Sequence, residues 1–309
     1  MHSPVVLGMD FGGSKIAVAV SDVAGVRLGS VTTYNRAEDD AKATLQRGIA
    51  AAHTLLDQTA MGRPLIAVGA CTFGIPGDDG VGLAPTIPGW GDLAFGRELR
   101  RAFDGAQVRL ATDVKAAATA EAEWGALVGC DPGIYVNLGT GLAVAILVNG
   151  AVLHGRNGAA GEIGYNLRHD SDVGRLLGER VPLEDSVSGK ALLRAAVDLL
   201  PPGDSAAAVF DRADDDPLAA VLLAEFIADL SFHLVNLAIA IDPQRIVVGG
   251  GLVRSWDRLH SGLREALDAA VPFPPELVLA AFPFDAPLMG ALAMSTAAAR
   301  EILSQGAPA

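Results

Sequence analysis

One pattern occurs twice in this chain, and its repetition limits the available folds more than any other feature. In the first copy an apolar run, residues 5–9, ends at Asp10 and is followed by Phe11-Gly12-Gly13-Ser14-Lys15 and a second apolar run over 16–20. A third extended piece, residues 26–31, is expected to pair back as a hairpin. In the second copy Ile134-Tyr135-Val136-Asn137 leads into Leu138-Gly139-Thr140-Gly141, a strand over 142–148, and a returning strand over 151–154. Between those two strands stands Asn149-Gly150, a strong two-residue hairpin signal because both central positions of that turn favour positive φ. Asp10 and Asn137 hold corresponding places. The repetition reads as an internal duplication, with chance recurrence of glycine turns in an α/β chain as the competing explanation.

The intervening segments fit an α/β reading. Helical patterns cover residues 38–60, 95–103, 113–124, 218–241, 256–270 and 289–303, and strand patterns cover 64–70, 108–111 and 245–248. The Pro-, Gly- and Asp-rich stretch 201–216 reads as a surface excursion. At 309 residues the chain is long enough for two domains of about 100–200 residues. Disorder is excluded, because half the residues are hydrophobic and only 19% are charged.

Charge narrows the partners. Twenty-three basic against 36 acidic residues give a net charge of −13, which opposes broad attraction to nucleic acid or anionic lipid. Residues 218–241 are apolar enough to suggest a membrane span. They nevertheless carry Glu225, Asp229, His233 and Asn236, so a buried helix is expected. Residues 1–6 lack the pattern of a secretory signal, which leads to an expected cytoplasmic location. Cys71 and Cys130 cannot build a disulfide framework and read as packed thiols of a reducing compartment. His154, His169, His233 and His260 fall at no metal-ligand spacing, so no zinc site is expected.

Glycine turns let backbone N–H groups converge on an anion with no side chain in the way. The turn Gly12-Gly13-Ser14-Lys15 lacks the four-residue spacing and following helix of a Walker loop. Around Gly139-Thr140-Gly141 there is neither the third glycine nor the helix of a dinucleotide fingerprint. A phosphate clamp made of two β-turns, one in each half, is what remains. Asp10, closing a strand just before the first turn, is placed to hold Mg²⁺ or its water shell, while Ser14, Lys15 and Thr140 supply donors for the β- and γ-phosphates. Asp113, at a strand–helix junction, reads as a helix N-cap, as a general base for a substrate hydroxyl, or as both. Glu162 lies in a small-residue loop, 158–164, that a polyol could approach closely, and Glu184 precedes a helix beginning near Ser188.

Taken in order, Asp10 to Lys15, Asn137 to Gly141, Gly158 to Gly164 and Val247-Val248-Gly249-Gly250-Gly251 resemble the ROK family of sugar kinases and repressors. Gly74-Ile75-Pro76-Gly77, residues 84–90 and Leu183 to Gly189 extend the match over nearly the whole chain. The resemblance implies a duplicated, ribonuclease-H-like (actin-like ATPase) α/β fold with ATP and sugar in a central cleft. It also implies a smaller domain of residues 1–112 plus about 290–309 and a larger one of 113–289. ATP and Mg²⁺ as cofactors, a hexose-type substrate and a homodimer follow from the same resemblance. So do roles for single residues: Asp113 as catalytic base, Glu162 and Glu184 on the sugar hydroxyls, Gly250 and Gly251 beside the adenosine, and Gly74, Thr86, Thr112 and Tyr165 around the sugar.

Some positions depart from the family pattern. Tyr165 stands where members usually carry His, and the three cysteines usual between there and Glu184 are missing, so all four ligands of the family's structural zinc are lost. Residues 170–180 must therefore hold that loop by other means. Thr112 and Thr86 replace two asparagines that help to hold the sugar. These changes leave open an altered sugar, or a sensing protein with little or no turnover, and polyphosphate is an alternative donor to ATP. Only nine residues precede Asp10, too few for the winged helix-turn-helix of the repressor branch, so DNA binding is not expected.

Overall fold

A computed structural model describes residues 3–36, 38–84, 87–201 and 203–305. The chain packs as two compact units, Met1–Glu123 with Asp285–Ala309, and Trp124–Phe284.

In the first unit, β1 (Val5–Phe11), β2 (Lys15–Asp22) and β3 (Arg27–Tyr34) form an antiparallel meander. Helix α1 (Ala41–Thr59) leads to β4 (Leu65–Thr72), and a small hairpin of β5 (Ile75–Pro76) and β6 (Val81–Gly82) precedes helix α2 (Phe95–Ala102). Then come β7 (Gln107–Thr112) and helix α3 (Asp113–Trp124). The sheet order is β3-β2-β1-β4-β7, with β4 and β7 parallel to β1. The two-residue period of β1 decides what each face meets. Val5, Leu7, Met9 and Phe11 join the core against α1 and α2, which leaves Val6, Gly8 and Asp10 for the opposite face. Asp40 starts α1 as an N-cap, its carboxylate accepting from the Ala43 N–H at 2.8 Å.

The second unit repeats this plan. Its meander is β8 (Gly133–Leu138), β9 (Leu142–Val148) and β10 (Ala151–Val152), shorter at the end than the pattern suggested. Asn149 and Gly150 adopt φ of 56° and 70°, the geometry their hairpin turn requires. Helices α4 (Gly189–Ala195), α5 (Ala207–Arg212) and α6 (Pro217–Ile241) lead to β11 (Arg245–Gly249), followed by α7 (Trp256–Ala270) and β12 (Glu276–Leu279). The order β10-β9-β8-β11-β12 reproduces that of the first sheet, so the duplication read from the repeated pattern is present as topology.

Among the described residues, α6 is the one helix long and apolar enough to cross a membrane by length and composition. Its Leu223, Phe226, Leu230 and Leu234 belong to the second unit's core. The stretch 201–216 is not the surface excursion that its composition suggested. It contains α5, whose Val209 and Phe210 are fully buried, with Phe210 edge-on to Phe226 at 6.2 Å. Turn-forming residues on both sides mask a helix too short to show a period.

After β12 the chain returns to the first unit as α8 (Ala286–Gln305), which lies against β1, β4 and α3 through contacts only glycine permits. A Cβ on Gly69 would stand 1.9 Å from the Ala291 carbonyl oxygen, and one on Gly290 would stand 1.8 Å from that of Ala116. Backbone cannot yield as a side-chain tip can. We expect Gly69→Val to destabilise the protein by about 2–4 kcal/mol, at or above the upper range for overpacking, whereas Gly178→Ala, with open space at its Cβ, changes stability by less than about 0.5 kcal/mol. Urea unfolding monitored by far-ultraviolet circular dichroism would measure both.

Candidate active site

In the first unit the sheet register sets Asp10 of β1, Cys71 of β4 and Ala111 of β7 side by side. Asp113, two residues beyond Ala111, follows at the first turn of α3. Its own carboxylate accepts from the Val114 N–H at 2.8 Å. The helix cap comes from Thr112, whose hydroxyl accepts from the Lys115 N–H at 3.3 Å, so this hydroxyl is engaged locally. Burial, and next the negative charge of Asp113, push the Asp10 carboxyl up to about 7, partly offset by the Cys71 thiol and Lys15. The thiol lies 3.6 Å from Asp10 Oδ1 and 3.4 Å from the Pro287 carbonyl oxygen. Burial beside two acids holds this thiol protonated.

The first glycine turn is closed by a bond from the Gly12 N–H to the Lys15 carbonyl at 2.9 Å, and it presents Gly13, Ser14 and Lys15 to solvent. Asn35, just past β3, donates its side-chain amide to the carbonyls of Gly12 and Gly13, both at 3.0 Å. Sequence reasoning missed this residue, since a lone Asn after a strand carries no signal. Gly74, φ 76°, sits over the β5–β6 hairpin, where a Cβ would meet the Gly82 carbonyl oxygen at 2.6 Å. Trp90, fully buried, donates its indole N–H to the Thr72 hydroxyl at 3.1 Å and packs with Phe11, Phe73 and Phe95 beneath this end of the sheet. Thr86 lies outside the described residues.

In the second unit Asn137 pairs in register with Gly249 of β11, as Asp10 does with Cys71. Gly250, φ 96°, packs so closely that a Cβ would stand 2.6 Å from the Leu138 carbonyl oxygen and 2.8 Å from Asn137 Oδ1. This brings Gly250 and Gly251 beside the Gly139 turn. The start of α4 backs that turn, with the N–H groups of Gly189 and Lys190 donating to the carbonyls of Gly139 (2.8 Å) and Thr140 (3.2 Å). In both turns, therefore, neighbours engage the carbonyls, the arrangement needed for backbone N–H groups to serve an anion.

Glu184 bridges two parts of this unit. Its carboxylate accepts from the Leu142 N–H at 2.9 Å and packs on Gly141, where a Cβ would stand 2.3 Å from Oε2. The loop carrying Glu162 is laid along β9: Val144 N–H donates to the Gly161 carbonyl at 2.9 Å, and Gly164 packs on the Leu142 carbonyl and the Glu184 side chain. Tyr165 completes the group. Its N–H donates to the Glu162 carbonyl at 3.1 Å, next to Gly164 on the Glu184 side chain, and burial, then the charges of Glu162 and Glu184, raise its phenol above the usual range.

Beyond Tyr165 the segment is tied by polar contacts. Arg180 donates to the carbonyls of Tyr165 (2.6 Å) and Asn166 (3.0 Å), and the Asn166 side-chain amide meets His233 Nδ1 of α6 at 3.3 Å. Asp172 accepts from the N–H groups of Arg168 and His169, and Arg168 pairs with Asp229 at 3.5 Å. Burial lowers the His233 pKa, with Asp229 opposing and Arg168 reinforcing the shift. Sequence reasoning assigned the holding of this loop to residues 170–180 without singling out Arg180, and it assigned His233 no such role, because each works through a backbone or amide partner distant in sequence. Among the described residues, no group of three or more His, Cys, Asp or Glu side chains could hold a metal ion.

The sequence profile of the ROK family matches residues 6–298. The chain is 31% identical over 257 residues to a kanosamine kinase of Amycolatopsis mediterranei, covering 81% of this chain and 82% of that enzyme. Its fold is similar to that of the ROK hexokinase from Thermus thermophilus, at 28% identity and a TM-score of 0.78 over 96% of this chain and 99% of the other. A ROK glucokinase from Streptomyces griseus, solved with glucose and AMPPNP, is 26% identical with a TM-score of 0.75, over 94% and 99% of the two chains. A profile match over nearly its whole length, on two α/β units of repeated topology, establishes that this chain belongs to the ROK family and has its actin-like fold.

Proposed function

We propose that the protein is an ATP-dependent kinase of a hexose or hexose derivative. The observation that carries this reading is the convergence of Asp10, near the end of β1, and Asp113, just past β7, on either side of β4, where the charge of Asp113 raises the cost of ionising Asp10. Such a pair suits one carboxylate that awaits a cation and one that awaits a proton. Support comes from the sugar-kinase relatives, one of them solved with a nucleotide analogue and glucose.

In this reading the Gly12, Gly13, Ser14 and Lys15 turn and the Gly139, Thr140 and Gly141 turn bind phosphates, with Gly250 and Gly251 beside the adenosine. Glu162, Tyr165 and Glu184 bind sugar hydroxyls, together with Gly74, Thr86 and Thr112. Asp113 accepts the proton of the attacking hydroxyl as the sugar oxygen bonds to the γ-phosphorus. The bond from that phosphorus to the bridging oxygen breaks, and ADP leaves with the electron pair. Asp10 fits Mg²⁺, a hard cation that takes one or two carboxylates plus phosphate oxygens. When bound, the ion would neutralise charge on the phosphates.

An alternative reading, a sugar- or nucleotide-sensing protein without turnover, is favoured by one observation: the Thr112 hydroxyl is occupied in capping α3. A screen of ATP consumption over hexoses, amino sugars and N-acylated sugars separates the two, and repeating it with polyphosphate identifies the donor. Turnover of at least one sugar is expected. Nucleotide binding with no turnover on any sugar rejects the kinase.

Two further outcomes are specific to the acid pair. Asp113→Asn should lower kcat by about 10²–10⁴ while nucleotide affinity, measured by titration calorimetry, stays within threefold. Near-normal turnover would remove Asp113 from the base role. Asp10 keeps its proton up to about pH 7 in the folded state and releases it near 3.8 when unfolded. Its contribution to metal-free stability is therefore full below about pH 4 and lost as the pH rises through about 7. In EDTA, Asp10→Asn should accordingly raise Tm at pH 8 but not at pH 4; in separate EDTA-free assays containing Mg²⁺, it should abolish turnover. An equal Tm change at both pH values would reject the assignment.

A further inference from the structure

Resting on the kinase reading, we propose that Arg180 and His233 form a strap that positions the segment Glu162–Asn166 and so sets affinity for the sugar without touching it. Upstream, the loop is fixed by backbone: Gly161 and Gly164 lie on β9 so closely that a Cβ on either would stand 2.0 Å or 2.8 Å from a carbonyl oxygen. Downstream, the segment's own structure is one short turn, with bonds from the Tyr165 N–H to the Glu162 carbonyl at 3.1 Å and from the Asn166 N–H to the Ile163 carbonyl at 2.9 Å. A single turn of this kind has poor hydrogen-bond geometry and does not hold itself in place.

Ile163 seats the middle of the segment in the unit's core, and the strap adds polar anchors beyond it from two directions. The planar Arg180 fork donates to two successive carbonyls, those of Tyr165 and Asn166, through charge-assisted bonds. His233 projects from α6, a helix whose neighbouring residues Leu230 and Leu234 sit in the unit's core, and its Nδ1 accepts from the Asn166 amide. Burial favours the neutral imidazole that such an acceptor requires. One of the carbonyls held by Arg180 belongs to Tyr165 itself, so its displacement would carry the phenol away from Glu162 and Glu184. A lysine offers a point charge rather than a fork and should restore only part of the effect.

The test compares wild type with Arg180→Gln, Arg180→Lys and His233→Leu, using hydrogen exchange of the sugar-free protein and steady-state kinetics. In Arg180→Gln the amides of Tyr165 and Asn166 should exchange at least tenfold faster while those of β8 and β11 are unchanged. The KM for sugar should rise at least tenfold, with kcat and the KM for ATP within threefold. Arg180→Lys should fall between wild type and Arg180→Gln, and His233→Leu should shift sugar KM in the same direction. Unchanged exchange at Tyr165 and Asn166 overturns the strap. Faster exchange with unaltered sugar KM, or a global loss of protection, overturns the positioning role and leaves a structural one. A wild-type protein that turns over no sugar overturns the kinase reading and this proposal with it, a result the variants are not needed to recognise.

Discussion

Asp10 is held at a strand end where desolvation and the charge of Asp113 both oppose its ionisation. A fold does not gain stability from such a pair; a buried polar group costs free energy unless something compensates it. The elements around it are arranged to keep the pair in place nonetheless. β1, β4 and β7 lie in parallel register, Thr112 caps α3 where Asp113 begins it, and α8 is seated against the sheet on glycines. In the proposed kinase reading, a site that carries its own electrostatic cost in the resting state would have free energy to recover when a cation and a phosphate bind.

Duplication supplied two similar frameworks, and substitution at equivalent positions made them different. Asp10 has Asn137 as its counterpart, and the Cys71 beside it has Gly249. An amide cannot draw in a metal ion as a carboxylate can, but it places Oδ1 against the backbone of Gly250. Both glycine turns have their carbonyls engaged, by the Asn35 side chain in the first unit and by the start of α4 in the second. The same backbone requirement is met by unrelated partners, as expected where only the turn itself is under common constraint.

Much of this was legible in the sequence. The strand pairs around both glycine turns, the hairpin at Asn149-Gly150, and helices such as α7 follow from apolar period and turn chemistry, which act over a few residues. What escaped notice depends on partners far apart in the chain. The pair Val209 and Phe210 lies in a six-residue helix between turn-forming stretches, and β12 spans four residues, too few for alternation to register. Asn35, Arg180 and His233 act on backbone carbonyls or a side-chain amide, and no residue type or spacing announces such a contact. The placement of the acids and glycines was therefore readable, whereas the means of holding them was not.

Helix α8 has a consequence for how the polypeptide emerges from the ribosome. The first unit begins the chain, but the helix that covers Gly8 and Gly69 ends it, with all of Trp124–Phe284 in between. At about 5–20 residues per second the nascent first sheet waits roughly 10–30 s for its last helix, while the second unit, contiguous in sequence, can finish first. Until α8 is synthesised, the face bearing Val6, Ala67 and Asp10 stays open to water, and the order of completion runs opposite to the order of synthesis.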